Sequence, residues 1–185
     1  MSGFTNSCNY RSKRVHLTAQ SIQETRIINH IIYKTIKTRS LLIMPGNAPD
    51  GYGDYIVVHL INSMMTSGLE IKNATLKHGK FHVSGNKDVE IPSEEVNRTI
   101  IAPNSAQDIS SSGRSSALYG TEGSFDLYES GTKICKLYWS DPYSGNNDFQ
   151  VQDYKIGGSY AVAVGPWNRS GGSLGRVDVE VVKKG

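Results

Sequence analysis

The sequence predicts an all-β protein, with a single β-sandwich domain of short, mainly antiparallel strands at residues 52–185 and a basic N-terminal extension at residues 1–51. Three observations lead to this prediction. Apolar and polar residues alternate with a period of two in many short runs, which turns one side of each strand to a core. Gly, Asn, Asp, Ser and Pro interrupt these runs roughly every 8–12 residues, as in sandwiches and barrels. No helical pattern of about 10–15 residues separates the runs, which disfavours an α/β sheet.

Each predicted strand follows from its own residues. The run YIVVHLIN is almost entirely apolar and predicts a buried first strand. In the second run, LEIKNATL, we expect Leu69 and Ile71 to face inward, followed by Ala74 and Leu76 after a slip of register. The later runs alternate and end at turn residues. In chain order, the predicted strands occupy residues 55–62, 69–76, 80–85, 88–92, 99–103, 108–110, 123–129, 133–139, 148–156, 159–165 and 176–184.

The first 51 residues differ in charge from the rest of the chain. They carry seven Lys or Arg residues and two acidic residues, a net charge of +5, whereas residues 52–185 have a net charge of −2. The spacing of Ile28, Ile32 and Ile36 fits one face of a basic amphipathic helix, such as a membrane-surface segment or a transit peptide. A disordered extension is the alternative, because Ile and Thr are mediocre helix formers. A second alternative is that translation starts at Met44, because the segment that follows has the residues of a loop before a strand.

Composition disfavours several functional classes. The slightly acidic domain lacks the clustered cations that bind phosphate backbones, so we expect no nucleic-acid partner. No apolar run approaches the roughly 20 residues of a membrane-spanning helix, and the first residues contain no apolar segment typical of a signal peptide. Cys8 and Cys135 lie far apart without a CxxC or Cys/His neighbour, so neither a disulfide framework nor a zinc site is predicted.

The motifs of this chain give no support to catalysis. His78 and His82 have the i, i+4 spacing of a helical metal pair, but Gly79 and the surrounding strand pattern favour scattered surface histidines. There is no G-x-S-x-G elbow, and the Gly-rich segments lack a Walker lysine and a following helix. Cys135 is interpreted as a half-buried, inert thiol within a strand. We therefore predict no enzyme activity, no metal and no cofactor.

Aromatic residues are the remaining signal of function. The segment YWSDPY places Tyr138, Trp139 and Tyr143 where a strand runs into a Pro turn. Tyr and Trp suit a membrane–water interface because they combine an apolar ring with a polar tip. Clustered rings also hold ammonium groups, at about 0.5–2 kcal/mol per contact. Arg114, in a Ser/Gly turn, has a planar fork that binds phosphate bidentately. The alternatives are that these rings belong to the core and that Arg114 is a structural turn residue.

Four ordered blocks of sequence, at 73–91, 111–129, 133–149 and 171–185, resemble the aegerolysins, which are small, acidic, mostly fungal β-sandwich proteins. The resemblance covers about residues 53–185. It implies binding to membranes that contain particular sphingolipids, such as sphingomyelin with cholesterol or ceramide phosphoethanolamine. It also implies cooperation with a larger membrane-attack-complex/perforin-type partner that makes the pore. An extracellular location reached without a signal peptide is a further implication.

The chain departs from the family pattern at several positions. Tyr55 and His78 stand where the family often has Trp, and Tyr119 stands where some relatives carry an acid linked to lipid selectivity. The common YWDCPWG reads YWSDPYSG at 138–145, and GRSDA reads GRSSA, with Ser116 in place of Asp. Tyr keeps an interfacial ring with less apolar area, whereas His loses more and makes its position sensitive to pH. The departures therefore concern lipid preference more than fold.

The sequence predicts a non-enzymatic protein, and the resemblance implies a haemolysin-like one that recognises sphingolipid head groups. The predicted lipid-binding residues are Tyr55, His78, Arg114, Tyr119, Tyr138, Trp139 and Tyr143. A carbohydrate-binding sandwich is the alternative, because it too would use exposed rings, and a glycan array beside a liposome assay separates the two. A hydrolase is a third possibility, and it would need a concave pocket with a His/Asp or paired-carboxylate cluster.

Overall fold

A computed structural model describes residues 52–115 and 117–184. The predicted extension at 1–51 lies outside the described residues, and so does Ser116, which departs from the family pattern. The described chain forms eleven strands and one short helix. In order, these are β1 (Tyr55–Asn62), β2 (Leu69–His78), β3 (Lys80–Val83), β4 (Asn86–Ile91), α1 (Ser93–Val96), β5 (Ile100–Ile101), β6 (Ser105–Ser112), β7 (Thr121–Glu129), β8 (Thr132–Asp141), β9 (Asp148–Gln152), β10 (Tyr160–Val164) and β11 (Gly175–Lys183).

The strands form two sheets. The six-stranded sheet has the order β10-β11-β1-β6-β3-β4, and the five-stranded sheet has the order β5-β2-β7-β8-β9. Within the described residues, β1 and β11 are the one parallel pair, and every other neighbouring pair is antiparallel. This arrangement confirms the predicted all-β sandwich.

The core lies between the two sheets and is centred on Trp139. The ring of Trp139 is fully buried and meets Phe81 of the six-stranded sheet edge-on at 6.0 Å and Phe125 of its own sheet at 5.7 Å. Removing a Trp side chain from water stabilises a fold by roughly 4–6 kcal/mol at most. The prediction that Trp139 helps to form a lipid-facing surface is therefore wrong, because this ring fills the space between the sheets.

The slip of register predicted in β2 is present at Asn73. Asn73 adopts a φ of 55°, and the pairing of β2 with β7 shifts around it. The irregularity turns Ala74 into the core, and the Ala74 amide donates to Asn97 Oδ1 at 2.7 Å. The side chain of Asn73 donates in turn to Asp126 Oδ2 at 2.8 Å. The slip is thus a bulge fixed by hydrogen bonds on both sides.

Several boundaries differ from the predicted ones. The strand expected at 108–110 extends over Ser105–Ser112, and its last three serines are buried and paired with β1 and β3 although they carry no apolar signal. The strand expected at 148–156 ends at Gln152, just before Asp153 adopts a φ of 53°. Helix α1 is too short to show helical periodicity. Cys135 is fully buried and not half-buried as predicted, and this burial raises the pKa of its thiol to about 12, as expected of an unreactive thiol.

Glu129, buried at the end of β7, ties the two sheets together. Its carboxylate accepts hydrogen bonds from the hydroxyl of Tyr160 on β10 and from Nζ of Lys183 on β11, the latter at 2.9 Å. Hydrogen bonds from Ser67, Tyr160 and Lys183 lower the pKa of Glu129 to about 2. One ionised carboxylate of the five-stranded sheet therefore holds two strands of the other sheet.

Asp141, at the end of β8, is buried in a different setting. The Leu174 amide donates to Asp141 Oδ2 at 3.0 Å, which holds the segment before β11 against β8. Among the described residues, the buried Oδ1 has no hydrogen-bond partner. Burial raises the pKa of Asp141 to about 7, and the nearby Asp54 adds to the shift against the hydrogen bonds from the backbone of Leu174 and Tyr55.

Replacing Glu129 with Gln should destabilise the fold in a pH-dependent way. A carboxylate with a lowered pKa stabilises the fold fully above its ordinary pKa of 4.5, and this stabilisation is lost as the pH falls towards about 2. We expect Glu129→Gln to lower the free energy of unfolding at neutral pH by on the order of 2 kcal/mol. Urea denaturation at neutral and at strongly acidic pH measures the change, with Glu94→Gln on exposed α1 as the control. A deficit of equal size at both pH values would contradict this account.

Replacing Asp141 with Asn should show the opposite trend. A carboxyl with a raised pKa binds its proton more tightly in the folded state, so the wild type loses stability as the pH rises from 3.8 to about 7. Asn cannot ionise and escapes this loss. The free energy of unfolding of the wild type, relative to Asp141→Asn, should therefore fall across that interval in a series of urea titrations. A difference that does not change with pH would show that Asp141 is not held in its neutral form.

Candidate functional site

Three strand ends meet at one end of the five-stranded sheet. Strand β2 ends at His78, β7 begins at Thr121 and β8 ends at Asp141. The register pairs His78 with Glu122 and Glu122 with Ser140, so these three side chains form a row across the sheet. The loops at 113–120 and 142–147 leave the sheet at the same end. Loops that leave a rigid sheet in this way often carry function.

These loops enclose an open depression of about 280 Å³. Three large apolar or aromatic side chains on its rim face solvent: Leu118 is 72% exposed, Tyr119 63% and Tyr143 45%. Such a cluster of exposed apolar groups marks an interaction site more often than scattered ones do. The lining residues are His78, Leu118, Tyr119, Gly120, Thr121, Glu122, Ser140, Asp141, Pro142, Tyr143 and Ser144.

His78 and Tyr119 stack face to face. Their ring centroids are 4.6 Å apart and their planes differ by 7°. Gly79 follows with a φ of 93°, a conformation that suits glycine and turns the chain from β2 into β3. His82 therefore lies on a separate strand and is buried, which confirms that the two histidines form no helical pair and corrects its prediction as a surface histidine. Within residues 52–115 and 117–184, no group of three His, Cys, Asp or Glu residues is placed to hold a metal ion.

Gly120 brings Tyr119 to this position. A Cβ atom at Gly120 would lie 1.8 Å from the carbonyl oxygen of Asp141, so no larger residue fits without moving the backbone. The close approach presses the loop before β7 against the end of β8. The ring of Tyr119 is thereby held beside His78.

A second, smaller depression of about 260 Å³ adjoins the first. Both depressions are lined by His78 and Tyr119, so the stacked rings form the wall between them. The second is lined by Leu76, Lys77, His78, Gly79, Arg114, Ala117 and Tyr119.

Arg114 in the second depression is paired within the chain. Its Nη1 donates to Glu90 Oε2 at 2.8 Å, and Nη2 donates to the other carboxylate oxygen. The Glu90 carboxylate raises the pKa of Arg114, and the Arg114 guanidinium lowers the pKa of Glu90. Both side chains are about half exposed, and such surface pairs contribute about 1 kcal/mol or less. The Arg114 fork is therefore available to a stronger anionic ligand.

The two depressions differ in charge. The described residues that line the first include the carboxylate of Glu122 and no Lys or Arg, and its other acid, Asp141, is fully buried with a raised pKa. The second contains Lys77 and Arg114 and no acid among its described lining residues. Lys77 Nζ lies 3.1 Å from Glu122, so the two regions are in contact across the row of strand ends.

Of the predicted site residues, His78, Tyr119 and Tyr143 line the first depression, and Arg114 shares the second with His78 and Tyr119. Tyr138 reaches the first depression indirectly, because its half-buried hydroxyl donates to Glu122 Oε1 at 3.0 Å.

Tyr55 lies in the other sheet and lines neither depression. The Nζ atom of Lys87 sits 4.1 Å from the centroid of the Tyr55 ring, a cation–π contact that covers one face of the ring. Burial lowers the pKa of Lys87. The structure therefore places Tyr55 apart from the residues that line the depressions.

Sequence reasoning missed Leu118 and Glu122. Leu118 carried a usable signal, because it is a large apolar residue next to Tyr119 in a Ser/Gly-rich loop. Glu122 carried none, since one acid in an alternating strand is ordinary.

Within the described ranges, no helix is long and apolar enough to cross a bilayer.

The comparisons with known proteins agree on one family. The aegerolysin family model matches residues 53–184. Asp-hemolysin from Aspergillus fumigatus is 45% identical over 134 residues, which cover 72% of this chain and 95% of that protein. Aegerolysin Aa-Pri1 from Cyclocybe aegerita is 30% identical over 140 residues, covering 72% of this chain and 93% of that one.

A solved structure supports the same assignment. RahU protein, crystallised with a Tris molecule, is similar with a TM-score of 0.68 and 34% identity, over 72% of this chain and 98% of that chain. The resemblance identified from the four sequence blocks is therefore confirmed, and the chain belongs to the aegerolysin family.

Proposed function

We propose that this protein is a non-enzymatic, haemolysin-like lipid-binding protein that recognises a phospho-amine head group at a membrane surface. The observation that carries the proposal is the pair of adjoining depressions with opposite charge, separated by the stacked rings of His78 and Tyr119. A zwitterionic head group has the same pattern, with an ammonium group and a phosphate a few bonds apart.

The ammonium group occupies the first depression in this proposal. Tyr119 and Tyr143 supply exposed rings at the rim, and Glu122 supplies a carboxylate in the wall. Cation–π contacts contribute about 0.5–2 kcal/mol each, and more when water is excluded. No Lys or Arg is among the described residues that line this depression, and Lys77 contacts Glu122 from the side of the second depression.

The phosphate occupies the second depression. Arg114 binds it bidentately in place of Glu90, and Lys77 adds a point charge. Exchange of partners is feasible because the existing Arg114–Glu90 pair is exposed to solvent. A doubly hydrogen-bonded phosphate under a partly apolar membrane surface is held more strongly than an exposed carboxylate in water.

Leu118 provides the contact with the membrane itself. It is the most exposed apolar side chain at this end of the sheet, and it lies on the loop that carries Tyr119. Partial insertion of Leu118 and the two tyrosine rings places the head-group depressions at the depth of the phosphates.

We propose further that the lipid is a sphingolipid, as the family resemblance implies. Sphingomyelin and ceramide phosphoethanolamine each carry one phosphate and one ammonium group, which the two depressions accommodate. A larger perforin-type partner supplies the pore, and the protein acts outside the cell after unconventional secretion. These statements rest on the resemblance, and the charge pattern of the depressions is compatible with them.

Replacing Tyr119 with Ala should weaken membrane binding. The change removes one wall ring and one exposed apolar group, and we expect a loss of about tenfold in affinity for sphingomyelin–cholesterol liposomes or ceramide phosphoethanolamine liposomes. Co-sedimentation with both liposome types measures the loss. Ile156→Ala is the matched control, because Ile156 is exposed but lines neither depression. Equal losses in the two variants, or failure of the wild type to bind either liposome, would contradict the proposal.

The pair Arg114 and Glu90 offers a test in which two variants move in opposite directions. Arg114→Gln removes the phosphate fork and should weaken binding about fivefold or more. Glu90→Gln removes the competing carboxylate and should leave binding unchanged or strengthen it. Liposome binding at two salt concentrations provides the measurement, with thermal unfolding as the check on folding. If the pair serves structure alone, both variants will weaken binding equally.

A further inference from the structure

We infer that the six-stranded sheet carries a second binding site, separate from the two depressions, for a neutral, hydroxyl-rich ligand such as a monosaccharide unit. The site is a cleft of about 460 Å³ formed by residues of β1, β3, β6 and the segment around α1. It shares no lining residue with the head-group depressions. The inference does not depend on the proposed lipid function.

Two buried polar side chains mark this cleft as a binding site. His82 on β3 and Ser110 on β6 are directly paired across the strands, so their side chains lie on the same face of the sheet. They are 4% and 2% exposed, and both line the cleft. Among the described residues, neither His82 Nε2 nor Ser110 Oγ has a hydrogen-bond partner. A buried polar atom without a partner is unfavourable, and a ligand hydroxyl would supply the missing hydrogen bond.

The hydrogen-bonding character of His82 is fixed by its surroundings. Its Nδ1 lies 2.9 Å from the carbonyl oxygen of Val83, so Nδ1 carries the proton and donates. Burial lowers the pKa of His82, with Lys87 and Lys80 contributing in the same direction against the bond to Val83. The neutral ring therefore presents Nε2 as an acceptor, and the Ser110 hydroxyl beside it can donate or accept.

A third polar group stands next to this pair. Asp108, two residues before Ser110 on the same face of β6, is paired across the strands with His59 of β1, and Asp108 Oδ1 lies 2.6 Å from His59 Nδ1. Ser84 Oγ and Arg176 Nη1 approach Asp108 at 3.5 Å. Asp108 is thus a positioned carboxylate whose Oδ2, which has only the long contact with Ser84 among the described residues, can accept a hydrogen bond from a ligand hydroxyl.

The composition of the cleft selects the class of ligand. Its described lining residues include the acids Asp108 and Glu95 and no Lys or Arg, which disfavours a phosphate or carboxylate ligand. They include no Trp, Tyr or Phe, so there is no aromatic cage for a quaternary ammonium group. Apolar walls from Ile91 and Val96 combined with mixed donors and acceptors match a sugar, which has apolar ring faces and hydroxyl edges.

The same cleft does not form the catalytic triad of a hydrolase. The His59–Asp108 pair has the required chemistry, but within the described residues no hydroxyl is hydrogen-bonded to His59 Nε2. Ser84 contacts Asp108 instead of the histidine. A nucleophile activated by its base is therefore not assembled, and the arrangement serves binding.

The test uses the full chain and a fixed panel of glucose, galactose, mannose, N-acetylglucosamine and myo-inositol, each at tens of millimolar. We expect at least one panel member to shift the backbone amide NMR signals of His82, Asp108 and Ser110. Ser110→Ala should weaken that binding about fivefold or more, because one hydroxyl contact is lost. Tyr119→Ala, in the other site, should leave sugar affinity unchanged, and Ser110→Ala should leave liposome binding unchanged.

Three results would overturn the inference. The first is the absence of any shift with all five compounds, which would mean that solvent alone satisfies the buried polar atoms. The second is a set of shifts that maps outside the cleft or that survives Ser110→Ala at full strength. The third is an equal response to inorganic phosphate or choline chloride, which would contradict the neutral ligand class. Because liposome binding is measured on the same variants, failure here is distinguishable from failure of the lipid proposal.

Discussion

The burial of Trp139 between the two sheets is the interaction on which the candidate lipid site depends. Its indole nitrogen donates to Thr121 Oγ1 at 3.2 Å, and Thr121 is 2.6 Å from the hydroxyl of Ser111 in the opposite sheet. Ser111 donates in turn to the carbonyl oxygen of Lys80 at 3.0 Å. A buried polar network with every member satisfied fixes a single arrangement of the elements that it joins. Here it joins the first residue of β7, which lines the first depression, to two strands of the other sheet.

The network lies beneath a surface whose groups are more exposed to solvent than the network itself. The Arg114–Glu90 pair is exposed, and the rim residue Leu118 projects from its loop into solvent. A rigid floor with adaptable walls is the arrangement expected where a ligand must be bound at the boundary between water and lipid. Asp141 belongs to both regions, since its carboxylate is buried with the core while its residue forms part of the depression. The raised pKa of Asp141 results mainly from its burial, which shows that little water reaches the base of the first depression.

Sequence reasoning succeeded where a pattern is local and failed where the fold joins distant segments. Period-two alternation was sufficient for most strands and for the bulge at Asn73. The same alternation places Trp139 in phase with buried Leu137, so its burial was predictable, and the clustering of aromatic residues was the weaker guide. By contrast, the contacts between Arg114 and Glu90 and between His78 and Tyr119 join segments that no spacing rule relates. Buried serines in β6 were equally hidden, because their burial follows from pairing and not from hydrophobicity.

The stacked pair joins two positions at which this sequence departs from the pattern expected from the family resemblance. A histidine at position 78, where the family often has tryptophan, leaves a smaller ring at the boundary between the two depressions. A tyrosine at position 119 lies parallel to that ring at 4.6 Å and restores a continuous aromatic wall. An acidic side chain, which some relatives carry at this position, has no ring face to stack and would place a charge beside the rim. The rings at positions 78 and 119 therefore act as one unit, because the stack forms the wall that both depressions share.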